Sequence, residues 1–173
     1  MSVDKEYFTF RLLKRDDLPL FAQWLGEDHV YQWWRAPSTT EYVEQKYGKS
    51  IDGFSQTQVY IAEYLGTPIG MIQTYWLKDF PKNISAIEHD NAIGIDYFIG
   101  DMQYVNKGYG TRLVAQFIEK IIREKTSATY VFADPEITNP RSIRMLEKVG
   151  FVRANIFTDE EKKHQYMFLR LVR

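Results

Sequence analysis

The stretch Asn106-Lys107-Gly108-Tyr109-Gly110-Thr111 joins a strand-like apolar run to an amphipathic helical pattern. Two glycines one residue apart let consecutive backbone N–H groups turn toward one point, and the helix that begins there adds its unpaired donors and its positive dipole end. Such a loop is an anion cradle, and its natural occupant is a phosphate-bearing ligand. The chain around it must therefore present a strand, a tight turn and a helix in direct succession.

The rest of the pattern extends this unit in both directions. Tyr7 to Leu13 alternates apolar with polar residues and predicts a first strand. A helix follows, capped by Asp16 or Asp17, with Pro19 in its first turn and Leu18, Phe21, Trp24 and Leu25 on one face before Gly26. Thr39 to Lys46 predicts a second, shorter helix. Val59 to Tyr64 and Ile69 to Tyr75 predict a hairpin, with Gly66 and Pro68 where pairing should stop. The polar segment Leu77 to His89 is long for a connection and suits a functional loop.

Ala92 to Ile99 predicts the strand before the cradle, and Tyr109 to Lys125 the helix after it, with Leu113, Phe117, Ile118, Ile121 and Ile122 as its buried stripe. Tyr130 to Ala133 is a short strand. Asn139 to Val149 is a helix with Asn139 as cap, Pro140 at its first position and Gly150 at its end. Phe151 to Phe157 and Gln165 to Leu171 close the chain as a hairpin. The order β-α-α-β-β-β-α-β-α-β-β defines an α+β fold, a sheet with helices on its faces.

At 173 residues and 45% hydrophobic, the chain suits one globular domain spanning 1–173, burying about two-thirds of the surface its unfolded form would expose. Lys and Arg number 22 against 23 Asp and Glu, so bulk charge points to neither nucleic acid nor membrane as partner. Residues 1–100 carry 9 basic and 14 acidic side chains, residues 101–173 carry 13 and 9. That split is either chance or the mark of an acidic substrate half and a basic, phosphate-binding half. The absence of cysteine excludes disulfides, thiolate metal sites and thiol nucleophiles. His29, His89 and His164 are too scattered to suggest a metal site. No signal-like N-terminus and no run of ~18 apolar residues is present, which predicts a cytoplasmic protein.

Two motifs carry a family resemblance. The glycine loop precedes one helix, and about thirty residues later comes Asn139-Pro140-Arg141-Ser142-Ile143-Arg144-Met145-Leu146-Glu147-Lys148-Val149-Gly150-Phe151. With the element order above, the chain resembles the GNAT acetyltransferase superfamily. The resemblance implies acetyl-coenzyme A as cosubstrate, with its pyrophosphate on the loop from Val105 through Asn106, Lys107, Gly108, Tyr109, Gly110 and Thr111 to Arg112. Val105 stands where the family usually has Gln or Arg. The resemblance also implies a pantetheine arm running along free backbone groups of Tyr97, Phe98 and Ile99. Asn139, with Ser142, is either a helix cap or a pantetheine partner. No metal is implied.

Transfer of acetyl to an amine is fastest when the amine is neutral, well placed and faced by donors for the developing oxyanion. A carboxylate is wanted there, and Asp96 breaks the apolar run just before the cradle; its alternative role is a structural ion pair. Gly94-Ile95-Asp96-Tyr97-Phe98-Ile99-Gly100, Lys107-Gly108-Tyr109-Gly110-Thr111, Trp24-Leu25, His29-Val30-Tyr31-Gln32-Trp33-Trp34 and Ala133-Asp134-Pro135 are similar to the aminoglycoside 6′-N-acetyltransferases. That likeness implies that Asp96 binds and helps deprotonate the acceptor amine and that Asp134 contributes to the sugar site. A polycationic aminoglycoside or polyamine suits the acidic half, where Glu27, Asp28, Asp79, Glu88 and Asp90 are candidates for lining a cleft. Trp33 and Trp34, being adjacent, do not both face one core, so one is available to stack on a sugar ring.

One position departs from such relatives. They commonly carry tyrosine four residues before the Gly-Phe pair as proton donor to the thiolate, and this chain has Leu146. A leaving thiol of pKa ~8.5 tolerates that loss. Leucine there also resembles enzymes that acetylate the N-termini of ribosomal proteins, the rival substrate class, and leaves open a non-catalytic acyl-coenzyme A binding module. Monomer and homodimer are equally compatible with the sequence.

Overall fold

Seven strands and five α-helices account for most of residues 7–80 and 91–172, the residues described by a computed structural model of the chain. Glu88, His89 and Asp90, together with most of the long polar segment, lie outside the described residues. The strands are β1 (Phe8–Leu12), β2 (Gln58–Tyr64), β3 (Thr67–Trp76), β4 (Ala92–Ile99), β5 (Tyr130–Ala133), β6 (Val152–Asp159) and β7 (Lys162–Arg170). They form one mixed sheet in the order β1-β2-β3-β4-β5-β7-β6. The expected α+β class and element order are borne out, with one addition. Between α1 (Leu18–Gly26) and α3 (Thr40–Ile51) lies a further short helix, α2 (Asp28–Trp34).

By its internal packing the chain forms two compact units: residues 1–73 with 97–116, and residues 74–96 with 117–173. The first holds α1, α2 and α3 against β1 and β2. Its core contains Phe21, Trp24, Leu25, Val30, Val43, Ile61, Met71 and Phe98. Burial of apolar surface at about 25 cal/mol per Å² makes this cluster the main source of the unit's stability. Gly100 is there because of Trp24: an added Cβ would run into the indole ring, and its N–H is held by the Ile69 carbonyl at 2.8 Å.

Local chemistry sets the element ends. The expected capping of α1 by Asp16 or Asp17 is not found. The Asp17 carboxylate is occupied by the Arg11 guanidinium at 2.7 and 2.8 Å and by the Lys14 N–H at 2.9 Å, and the chain enters α1 through one 3₁₀ turn, Arg15–Asp17. Thr39 does cap α3, its hydroxyl accepting from the Tyr42 N–H at 3.2 Å. The β2–β3 hairpin turns on Leu65 and Gly66, whose φ values of 50° and 82° give the left-handed pair that matches strand twist. Pro68 therefore falls inside β3 rather than in the turn.

The second unit contains β5, β6, β7, the C-terminal part of the helix after the cradle, and α5 (Pro140–Val149). Leu77, Ala92, Phe132 and Tyr166 form its buried centre, with Tyr75, Tyr130, Phe157 and Phe168 packed around them. The helix that starts at Tyr109 runs as α4 to Phe117 and continues as a π-helical segment, Ile118–Arg123, with Ile118, Ile121 and Ile122 buried. Asn139 caps α5 through a bond from the Ser142 N–H to its Oδ1 at 3.2 Å. Gly150, at φ 114°, ends it by donating to the Leu146 and Glu147 carbonyls. Asn139→Ala is expected to lower unfolding stability by about 1 kcal/mol, measured as a shift in urea midpoint. Among the described residues no helix is long and apolar enough to cross a membrane.

Candidate active site

The cradle belongs to the first unit. Asn106 and Gly108 both take positive φ, 62° and 81°, whereas Lys107 between them does not, so the backbone alternates in hand just before α4. This is the nest geometry suited to anions. Asparagine and glycine are the residues that adopt it at least cost. A Cβ added at Gly108 or at Gly110 would meet nothing within 4 Å. Packing within the protein thus gives no reason for glycine at position 110, and the open space above it fits the close approach of a phosphate to backbone amides. Lys107 is exposed beside it.

Arg112, expected near the phosphates, packs against aromatic rings, one of them Tyr109 of the cradle itself. Its guanidinium lies over the rings of Tyr64 and Tyr109, each at 5.4 Å, and of Tyr7 at 5.7 Å. These rings, with Tyr104 edge-on to Tyr109 at 4.9 Å, clamp the first turn of α4 by cation–π and edge-to-face contacts. Trp34 likewise belongs to the packing, edge-on to Phe98 at 5.1 Å. Trp33 is half-buried. His29 spans from α2 to the end of β4, with Nε2 2.8 Å from the Ile99 carbonyl; that carbonyl, expected to be free for pantetheine, is engaged. Glu27 and Asp28 line an open cavity of ≈ 420 Å³ in the same unit, with Gln23, Ser38 and Met102 among the other walls.

The carboxylates belong to the second unit, and the sheet register explains their pairing. β4 and β5 are parallel, with Ala92 opposite Tyr130, Ile93 opposite Val131 and Gly94 opposite Phe132. Side chains alternate in strands, so the same register carried two residues further sets Asp96 and Asp134 on one face, facing each other. The antiparallel pairing of β5 with β7, which matches Ala133 with Met167, brings Tyr166 beside Asp134 in the same way. Burial, reinforced by the negative charge of Asp96, pushes the Asp134 carboxyl up to about 8. Two carboxylates in one place do not both ionise readily.

Three further groups complete this cluster, and the sequence reading did not single them out as functional. Tyr75 of β3 lies flat over Gly94: a Cβ on that glycine would meet the ring and stand 2.8 Å from the hydroxyl oxygen. Burial raises the Tyr75 phenol well above its ordinary value, with Asp96, Asp134 and Tyr166 adding to the shift. The Tyr166 phenol is raised for the same reasons, burial first and Asp134 second. His164 donates from Nδ1 to the Asp134 backbone carbonyl, 2.9 Å away, and the same nitrogen is 4.0 Å from the Asp134 carboxylate. The usable signal was Gly94 itself, a glycine in mid-strand that marks a close neighbour. Leu146, where a tyrosine was missed, is fully buried. Among the described residues no group of three or more His, Asp or Glu side chains is arranged to hold a metal ion.

In the first unit a glycine loop opens directly into α4; in the second, a carboxylate of β4 meets one at the end of β5. The model of the acetyltransferase (GNAT) domain family matches residues 14–158, and the chain belongs to that family: it is an N-acetyltransferase. Its relatives include the aminoglycoside N(6′)-acetyltransferases type 1 of Klebsiella pneumoniae and Serratia marcescens, each 31% identical over 163 residues, 92% of this chain and 81% of theirs. Among solved structures, AAC(6′)-Ib in complex with paromomycin and acetyl-CoA matches with a TM-score of 0.83 at 28% identity, covering 95% of this chain and 94% of that one. AAC(6′)-Ib with coenzyme A and kanamycin matches with a TM-score of 0.82 at 29% identity, covering 94% of each.

Proposed function

We propose that this acetyltransferase transfers acetyl from acetyl-coenzyme A to an amine of a small polycationic acceptor, the 6′-amine of an aminoglycoside. The observation that carries the reading is the carboxylate pair. A site that confines Asp96 and Asp134 to one face, with Asp134 raised to about 8 by burial and like charge, is stabilised by an incoming ammonium and selects for it. The relatives that act on aminoglycosides, similar over most of the chain, support the same acceptor class.

The residues divide the work as follows. Backbone amides from Asn106 to Thr111 hold the pyrophosphate, and Lys107 adds positive charge. Asp96 and Asp134 hold the acceptor ammonium. Asp134, whose proton affinity lies near working pH, takes the proton that makes the amine a nucleophile. Asn139 and Ser142 act through the cap of α5, which leaves Asn139 as support for the fold.

An acceptor screen with purified protein tests the assignment. Thiol released from acetyl-coenzyme A should appear with aminoglycosides bearing a free 6′-amine and not with those carrying a 6′-hydroxyl. Release with peptide N-termini and none with aminoglycosides would move the acceptor to the protein class. Coenzyme binding with no acceptor-dependent thiol would identify a binding module instead.

A further inference from the structure

Leu146 leaves the departing sulfur without the donor that a tyrosine at that position would offer, and the side chain is fully buried in the core. Charge building on sulfur would do so near two carboxylates, the least favourable surroundings for a thiolate. A neutral donor is needed on the carboxylate face of β4, and one is present. Gly94 and Asp96 alternate onto the same face, ~7 Å apart along the strand, and the Tyr75 ring covers the glycine of that pair.

We propose that the Tyr75 hydroxyl donates a hydrogen bond to the sulfur of coenzyme A as it leaves, the part that Leu146 cannot play. The neutral amine nitrogen forms the C–N bond to the acetyl carbon, and the C–S bond breaks with its electron pair going to sulfur. With Asp134 already carrying the proton taken from the ammonium, the amine's surplus proton passes to the Asp96 carboxylate. The thiolate stays hydrogen-bonded to Tyr75 until it takes a proton from solvent. Burial and the neighbouring carboxylates keep the phenol protonated, so it remains a donor and adds no negative charge. Gly94 has its own reason in this arrangement: any larger residue would displace the ring.

The proposal rests on the acetyltransferase reading but not on the choice of acceptor, and its test needs no acceptor. Coenzyme A is bound to the wild-type protein, to Tyr75→Phe and to the exposed Tyr31→Phe, and the bound thiol is titrated by the ultraviolet absorbance of its thiolate. A hydrogen bond to the charged form favours that form. The bound thiol should therefore titrate about one unit higher in Tyr75→Phe than in the wild type, with Tyr31→Phe unchanged and coenzyme affinity equal in all three. With an acceptor added, kcat of Tyr75→Phe should fall roughly tenfold at unchanged acceptor KM. Identical thiol titrations in the three proteins overturn the proposal, and so does the same shift in both variants. A titration difference without acetylation of any aminoglycoside supports the Tyr75 role and refutes only the acceptor assignment.

Discussion

Replacing Asp134 by Asn is expected to lower kcat/KM by roughly 10²-fold or more while making the protein more resistant to heat at alkaline pH. The loss of activity follows from removing both a counter-charge for the ammonium and the acceptor of its proton. The gain in stability follows from the raised acidity constant. An aspartate in the unfolded chain ionises near ~3.9, whereas folded Asp134 ionises at about 8. Between these values the folded state keeps a proton that the unfolded state has lost, so its stability falls as pH rises across the window and is lowest above it. Asparagine never ionises. Thermal melts of wild type and variant at about pH 5 and about pH 9 should therefore show an advantage for the variant that grows with pH. In the same series wild-type kcat/KM is expected to rise through about pH 8 as Asp134 ionises, and the variant should lack that component. A variant that melts with the same pH dependence as the wild type would show that Asp134 is not held protonated.

Enlarging Gly110 should act on the coenzyme alone. Its backbone is helical, with no positive φ, and a Cβ there meets nothing within 4 Å. Gly110→Leu therefore creates no strain and should be neutral or stabilising by up to about 1 kcal/mol, because leucine has the better helix propensity. The added side chain occupies the space above the amides, and each charge-assisted hydrogen bond it prevents costs about 1.5–3 kcal/mol. A loss of at least tenfold in coenzyme A affinity is expected from calorimetry, with the melting temperature held or raised. Unchanged affinity would remove the loop from coenzyme binding. Gly108 is the less informative position, since φ 81° makes any substitution there a strain on the backbone as well.

Much of this was readable in the chain before folding. The glycine loop, the cap and stop of α5, and a carboxylate in an apolar strand are local patterns, and local patterns survive into structure. α2 was not readable, because the seven residues Asp28–Trp34 span two turns, too few for a 3.6-residue period to emerge. Long-range events were also out of reach. The Asp17 carboxylate looks like a cap until Arg11 of β1 arrives to claim it, and nothing local to Arg112 foretells that Tyr7, Phe8 and Tyr64 pack against it. Tyr75 resembles any strand aromatic until pairing lays it over Gly94. Arg11 is only six residues from Asp17 but sits on β1, the rings of Tyr7, Phe8 and Tyr64 are far from Arg112 in the chain, and Tyr75 is on a different strand from Gly94; only Gly94 hinted that such a partner existed.

The short parallel ladder between β4 and β5 has a bearing on how this enzyme would fail. Asp96 and Asp134 are 38 positions apart in the chain, and only the three matched residue pairs from Ala92 to Gly94 decide that they meet. A slip of one residue would swing one acid to the far side of the sheet, together with every other side chain of the slipped strand, while the secondary structure content stayed the same. Damage of that kind is invisible to circular dichroism and conspicuous in turnover. For this chain, then, catalytic competence is a more sensitive gauge of strand alignment than any bulk measure of foldedness.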